Sequence, residues 1–210
     1  MTPTRQDAPP RAARDERTRE ARRDALAESA LTTLGELGYA RTSLREIAAN
    51  SEFSHGVVHY YFRDKTELIT YCVRYYKARC VHRYDGVVAE SRTAPELLIA
   101  FSDKLVETIV DEAPMHRLWY DLRTTSMFEE ALRPDVVAID ASLQDMVWRV
   151  VSRYAELAGR PLVVTPGVAY AMLDGVFERC LLRHLAGERD ALDELRAAVR
   201  GALPLLLRAD

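Results

Sequence analysis

The chain has 210 residues, 48% of them hydrophobic and 29% charged, with a formal net charge of −3, proportions ordinary for a soluble globular protein of one or two domains. No apolar run approaches the ~20 residues of a spanning helix. The start MTPTRQDAPPRAARDERTREARRD has no apolar h-region, so a cytoplasmic location with no membrane partner is expected. Three cysteines, Cys72, Cys80 and Cys180, form no CxxC pair and are odd in number, which argues against a disulfide framework and for buried apolar thiols.

Up to Lys65 the chain carries 11 Lys+Arg against 10 Asp+Glu, and beyond it 18 against 22. Seven arginines fall in the first 23 residues. Residues 1–17 read as a flexible Arg/Pro-rich arm, either touching phosphates or simply solvated. From Thr18 to Leu37, Leu26, Ala30, Leu34 and Leu37 recur at helical spacing, and Gly38 is a C-terminal stop. Ser43 with Glu46 three residues later forms a capping box opening a short helix, with Leu44, Ile47 and Ala48 inward. After the break NSEF, Ser54 caps a second short helix, and RDKTEL begins a long fourth helix expected to reach Tyr84. Helix, short helix, tight turn, short helix is a helix-turn-helix layout.

Downstream, helical periodicity fills residues 95–111, 115–130, 134–157, 167–185 and 190–207, while LVVTP at residues 162–166, closely bracketed by prolines, is expected to be a loop. The expected architecture is all-α: a helix-turn-helix domain over residues 18–65 and a larger helical ligand-binding and dimerisation domain over 66–210.

The stretch GYARTSLREIAANSEFSHGVVHYYFRDKTELI resembles the DNA-binding signature of TetR-family transcriptional regulators. A glycine and an aromatic close helix one, Thr-Ser opens helix two, a recognition helix ends in Tyr-Phe, and Lys65 opens helix four. GVVHYYF and the distant AMLDGVFERCLLRHL are most similar to the branch named for the betaine-synthesis repressor. Where members usually have Ala-Gly-Val in the turn, this chain has Ser51, Glu52 and Phe53. A glutamate at a turn position suited to positive φ would cost on the order of 1 kcal/mol or shift the turn type.

The resemblance implies a double-stranded DNA partner with a pseudo-palindromic operator. A helix in the major groove needs a small residue at closest approach, here Gly56, and side chains of medium reach that bond base edges or touch thymine methyls. His55, Val57, His59 and Tyr60 fit that need, and Val58 and Phe62 fall inward. By resemblance Thr42, Ser54, Tyr61 and Lys65 hold phosphates, and Arg45 is a further groove or phosphate contact. His55 and His59, four residues apart, also have metal-clasping spacing, but Gly56 occupies the place of a zincin's general base and a third ligand is lacking nearby. Cys180 and His184 have the spacing of an activated thiol but sit in the apolar CLLRHL, where packing is the better account. With no glycine-rich phosphate loop either, no catalysis, cofactor or metal is expected.

The larger domain is expected to sense a small molecule. Aromatics mixed with polar groups, Trp119, Tyr120, Arg123, Phe128, Trp148 and Tyr170, suit a cavity between helices, although for any one of them alone a place in the core is the better account. Arg117 and Arg123 favour an anionic ligand, whereas the aromatics and Asp121 favour a cation. A homodimer is expected through the last two long helices, along the stripes Leu173, Phe177, Cys180, Leu181 and His184, and Leu192, Leu195 and Val199. The resulting expectation is a repressor released from DNA by a small-molecule effector. The alternatives are an architectural DNA-binding protein without a ligand and a small helical enzyme.

Overall fold

The computed structural model describes residues 11–209; of the expected arm, residues 1–10 lie outside them, and the chain is helical from Arg11. Two compact units, Met1–Tyr75 and Tyr76–Asp210, divide it.

In the first unit, α1 (Arg11–Arg41) is interrupted at Gly38, whose φ of 76° lies where an L side chain would be strained. This is the stop expected there. The Thr42 hydroxyl donates to the Gly38 carbonyl at 2.7 Å, fixing the turn into α2 (Leu44–Ala49). Both halves of the capping box form: Glu46 N–H donates to Ser43 Oγ at 3.2 Å, and Ser43 N–H donates to Glu46 at 2.7 Å. Ser54 accepts from Val57 N–H and opens α3 (His55–Tyr61); α4 (Lys65–Cys80) follows and crosses into the second unit.

The core of the first unit gathers Leu26, Ala30 and Leu34 of α1, Ile47 of α2, Val58 and Phe62 at α3, and Leu68 and Ile69 of α4, all almost fully buried. Burying one such large side chain contributes about 1.5–3 kcal/mol. Arg23 lies over the rings of Phe62 and Tyr71, at 4.7 and 4.5 Å from their centroids, and pairs with Glu67 at 3.0 Å, so an arginine of the sequence's basic run belongs partly to the core. The α2–α3 turn avoids the strain expected of Glu52, since no described non-glycine residue has positive φ. Ser51 Oγ instead accepts from Phe53 N–H at 3.2 Å, and Phe53 is buried beneath the turn.

The second unit is built from α5 (Asp85–Glu90), α6 (Ala94–Thr125), a 3₁₀ turn (Glu130–Leu132), α7 (Arg133–Ala158), α8 (Pro166–Leu185) and α9 (Ala191–Leu205). Two helix boundaries here differ from those expected. The fourth helix ends at Cys80, where turns such as Arg83 N–H to Cys80 C=O lead into α5, and the Arg83 side chain folds back onto Glu112. The two helices expected over 95–130 are one kinked α6, with Glu112 at φ −133°, ψ 23° and Pro114 just beyond. Pro114 has no N–H for the preceding turn, so the helix bends there. It continues because both segments bury apolar stripes, Phe101, Leu105 and Ile109 before the bend, Leu118, Trp119 and Leu122 after it. The loop after α7 pairs with the chain end through a Leu162–Leu207 bridge, and Val163 N–H donates to the Leu206 carbonyl at 2.9 Å. Helices α6, α7, α8 and α9 pack on one another, and Arg196 and Arg200 of α9 both reach Asp103 of α6. No helix of the described residues is long and apolar enough to cross a membrane.

Candidate functional site

Two features of different chemistry stand out, one in each unit. The first is the outer face of α3. His55, Gly56, Val57, His59 and Tyr60 are exposed, Tyr60 at 75%, and Tyr61 is half-buried, while Val58 and Phe62 are fully buried on the opposite side. A shallow depression runs along this face, lined by Ser54, Gly56, Val57, Tyr60 and Tyr61 with Arg22 and Glu52. The His55 and His59 rings meet edge to face with centroids 4.4 Å apart. A methyl group placed at Gly56 would meet nothing closer than Ser54 Oγ at 4.0 Å. The chain's own packing therefore does not require a glycine there, and a glycine within a helix costs about 1 kcal/mol relative to alanine. What it leaves is clearance for an outside partner.

Around this face the other expected residues divide. Arg45 and Ser54 are exposed beside it. Lys65 is half-buried, its ammonium 4.3 Å from the Tyr39 ring centroid and 3.4 Å from the Ala40 carbonyl. Thr42, expected as a phosphate ligand, is 2% exposed with its hydroxyl committed to Gly38, so its side chain serves the turn and is not offered to solvent.

The second feature is a cavity of about 70 Å³ within the second unit. Among the expected ligand residues, Trp119, Tyr120 and Tyr170 line it. Arg123 pairs with the lining residue Asp174 at 2.5 Å. Trp148 is half-buried on α7 outside the lining, and Phe128 is 84% exposed in the turn after α6, where no helix covers it; neither belongs to the cavity. The stripe expected to join two chains is mostly buried in the single chain. Leu173 and Phe177 line the cavity, Cys180, Leu181, Leu195 and Val199 are buried within this chain, and His184 and Leu192 are half-buried. The α6, α7 and α9 helices pack against α8, so most of this stripe is buried within the chain itself.

The cavity contains residues that the sequence reading missed: Lys77 and Cys80 at the end of α4, Arg83 and Tyr84 after it, His116 at the α6 bend, and Met146 and Asp174. A signal existed for one. Lys77 stands four residues beyond Val73 and three before Cys80, on the stripe that α4 buries.

Charges around the cavity are mostly answered. Glu112 receives the Arg83 guanidinium and the Tyr76 hydroxyl. Asp174 receives Arg123 and the Tyr120 hydroxyl at 2.9 Å, and burial with that carboxylate pushes the Tyr120 phenol far up. The Tyr170 hydroxyl donates to Asp140 at 3.0 Å. Lys77 is 4% exposed with its ammonium 5.0 Å from the Trp119 ring centroid, and burial lowers its pKa to about 8. His116 packs its ring on Phe177 at 4.9 Å between centroids, and burial, helped by the positive Lys77 and Arg83, holds its pKa well below the usual value. His116 Nε2 and Trp119 Nε1 are buried without hydrogen-bond partners.

A capped α2–turn–α3 unit with an exposed second helix defines a helix-turn-helix protein, here joined to a helical domain with its own cavity. Residues 26–72 match the family model of bacterial regulatory proteins, tetR family. It is 28% identical over 119 residues to the HTH-type transcriptional regulator BetI of Paraburkholderia phymatum, a match covering 55% of this chain and 59% of that one, so it spans little more than half of that relative's length. Solved structures share the fold across most of the chain. A TetR transcription regulator from Haloarcula marismortui superposes with a TM-score of 0.72 at 18% identity, covering 90% of this chain and 100% of that one. FadR of Bacillus subtilis, in complex with stearoyl-CoA, gives 0.69 at 16% identity, covering 85% and 96%. A Saccharomonospora viridis protein described as a transcriptional regulator, in complex with choline, gives 0.72 at 16%, covering 91% and 100%.

Proposed function

We propose that the protein is a sequence-specific DNA-binding transcriptional regulator of the cytoplasm, a repressor that leaves its operator when a small molecule enters the cavity of the second unit. The observation that carries this reading is the α3 face, where Gly56, Val57, His59 and Tyr60 are exposed while Val58 and Phe62 anchor the helix from behind. A short helix held this firmly presents its outward residues in a fixed geometry, as base readout requires. The ligand half of the reading is supported by the cavity with its unpartnered polar groups, and by relatives of the same fold solved with stearoyl-CoA and with choline. Helix α4 is continuous from Lys65 to the cavity residues Lys77 and Cys80, so a ligand that moves its end acts on a helix of the DNA-binding unit.

Regulators of this layout bind half-sites related by two-fold symmetry, which requires two copies. The second copy fits the outer face of α8, where Val168, Met172, Leu182 and Leu185 are exposed around an open Gly175. Selection of bound sequences from random duplex DNA tests the reading: a pseudo-palindromic consensus is expected. Sequence-independent recovery would overturn it.

A further inference from the structure

Two polar atoms in the cavity wall, Trp119 Nε1 and His116 Nε2, are buried without a hydrogen-bond partner, and beside them the Lys77 ammonium rests against aromatic rings. The Lys77 ammonium is buried with no carboxylate in ion-pair distance among the described residues, Trp119 Nε1–H has no acceptor, and His116 Nε2 has no partner. Buried polar atoms are nearly always satisfied, so two unpartnered atoms and a buried ammonium without an ion pair around one cavity point to the polar groups of a ligand. Two of them are donors, one charged. The third belongs to an imidazole held neutral by its burial, whose other nitrogen bonds the Thr108 backbone, so Nε2 offers a lone pair to a hydroxyl or a water.

We propose that the cavity binds a small organic carboxylate, its anionic group held by the Lys77 ammonium and the Trp119 indole N–H and its hydrocarbon body against Tyr84, Phe101, Leu143 and Phe177. This rests on reading the cavity as the effector site and names the ligand's charge. The charge pattern decides against a cation. Asp174, the one carboxylate in the lining, is neutralised by Arg123 and bonded by Tyr120, and the second carboxylate nearby, Glu112, is taken by Arg83 and Tyr76. A quaternary ammonium such as choline would find aromatic faces here but would share them with an uncompensated lysine. A carboxylate gives that lysine a charge-assisted partner in a place where burial makes the pair strong. His116 adds selectivity, favouring acids that carry a hydroxyl.

Isothermal titration calorimetry of the full chain with hexanoate, phenylacetate and mandelate, against phenethylamine, choline and phenethyl alcohol, tests the assignment. At least one carboxylate is expected to bind at pH 7 while the two cations do not. Lys77→Met is expected to weaken that carboxylate about 100-fold with helical content unchanged by circular dichroism. Trp119→Phe, which removes the N–H and keeps an aromatic ring, is expected to weaken it about tenfold and serves equally if the lysine variant misfolds. Carboxylate binding unaltered by Lys77→Met or Trp119→Phe overturns the proposed anchor. Preferential binding of phenethylamine or choline overturns the charge assignment and leaves the cavity as an effector site. Heat-silent titrations with all six compounds overturn both.

Discussion

Lys77 and Trp119 face each other inside the helical unit, ammonium to ring centroid 5.0 Å, and no ion pair joins the buried lysine to a carboxylate among the described residues. A cation–π contact of this kind contributes about 0.5–2 kcal/mol, less than the cost of desolvating an ammonium. The unliganded fold therefore carries a deficit at this position, which is the usual cost of a site prepared for a ligand.

That deficit is measurable through pH. The Lys77 pKa is about 8 in the fold against 10.5 in the unfolded chain, lowered by burial, with Arg83 also lowering it and Cys80, Asp174 and Glu112 opposing. Below pH 8 both states hold the proton and the cost is fully present; between pH 8 and 10.5 the unfolded state binds more protons, so stability rises with pH. Lys77→Met removes the cost, and the variant is expected to be more stable than wild type by about 3 kcal/mol at pH 7, the advantage shrinking toward zero near pH 10. Urea unfolding of both proteins at pH 7 and pH 9.5 checks this. Cys72, whose thiol burial pushes upward, destabilises both proteins alike above pH 9 and drops out of the comparison.

Gly56→Ala separates folding from recognition. Its methyl group has room, so the variant is expected to gain about 0.5–1 kcal/mol of stability by thermal denaturation. Operator affinity, measured by fluorescence anisotropy, is expected to fall at least tenfold because the helix can no longer approach the groove as closely. A stabilised variant with wild-type affinity would place the DNA elsewhere than on this face.

Tyr60 and Lys65 should respond differently. Tyr60 is largely exposed, so Tyr60→Ala leaves stability within about 0.5 kcal/mol and relaxes sequence preference. Lys65→Ala removes the contacts to Tyr39 and the Ala40 carbonyl as well as a positive charge. It is expected to cost about 0.5–1 kcal/mol of stability, weaken every duplex alike and reduce the magnitude of the salt slope by about one. Competition binding at several salt concentrations reads both effects.

Self-association is tested by charge on two faces of α8. Met172→Glu with Leu182→Glu places carboxylates on the exposed side and is expected to give a folded monomer by analytical ultracentrifugation, with lost operator affinity. Phe177→Glu with Leu181→Glu, on the side buried in this chain, is expected to unfold the helical unit instead, because each carboxylate enters the core unpaired. Dissociation without loss of fold in the second pair would return the interface to the buried stripe.

Local chemistry written over a few residues was legible in advance. Ser43 with Glu46, Ser54 before α3 and Gly38 after Leu37 each act within one turn of backbone, so their spacing alone implied the caps and the break that the fold contains. The α3 face was legible for the same reason, since a seven-residue helix anchored by Val58 and Phe62 leaves little choice about what points outward. Tertiary structure decided the rest. A helical stripe of apolar residues states that a face leaves water but not what covers it, so the spacing that read Phe177 and Leu181 as an interface could not show that both are buried among helices of the same chain. Thr42, by contrast, was missed although its partner, the Gly38 carbonyl, lies only four residues back, and Phe128, an aromatic in an aromatic-rich region, stayed outside because the chain turns there before any helix can cover it. Lys77 is the sharpest instance. Its charge argued for solvent, and only the convergence of α4 with α6, α7 and α8 residues around one cavity made it a buried cation in need of a partner, because burial is a property of what surrounds a side chain and not of the side chain itself.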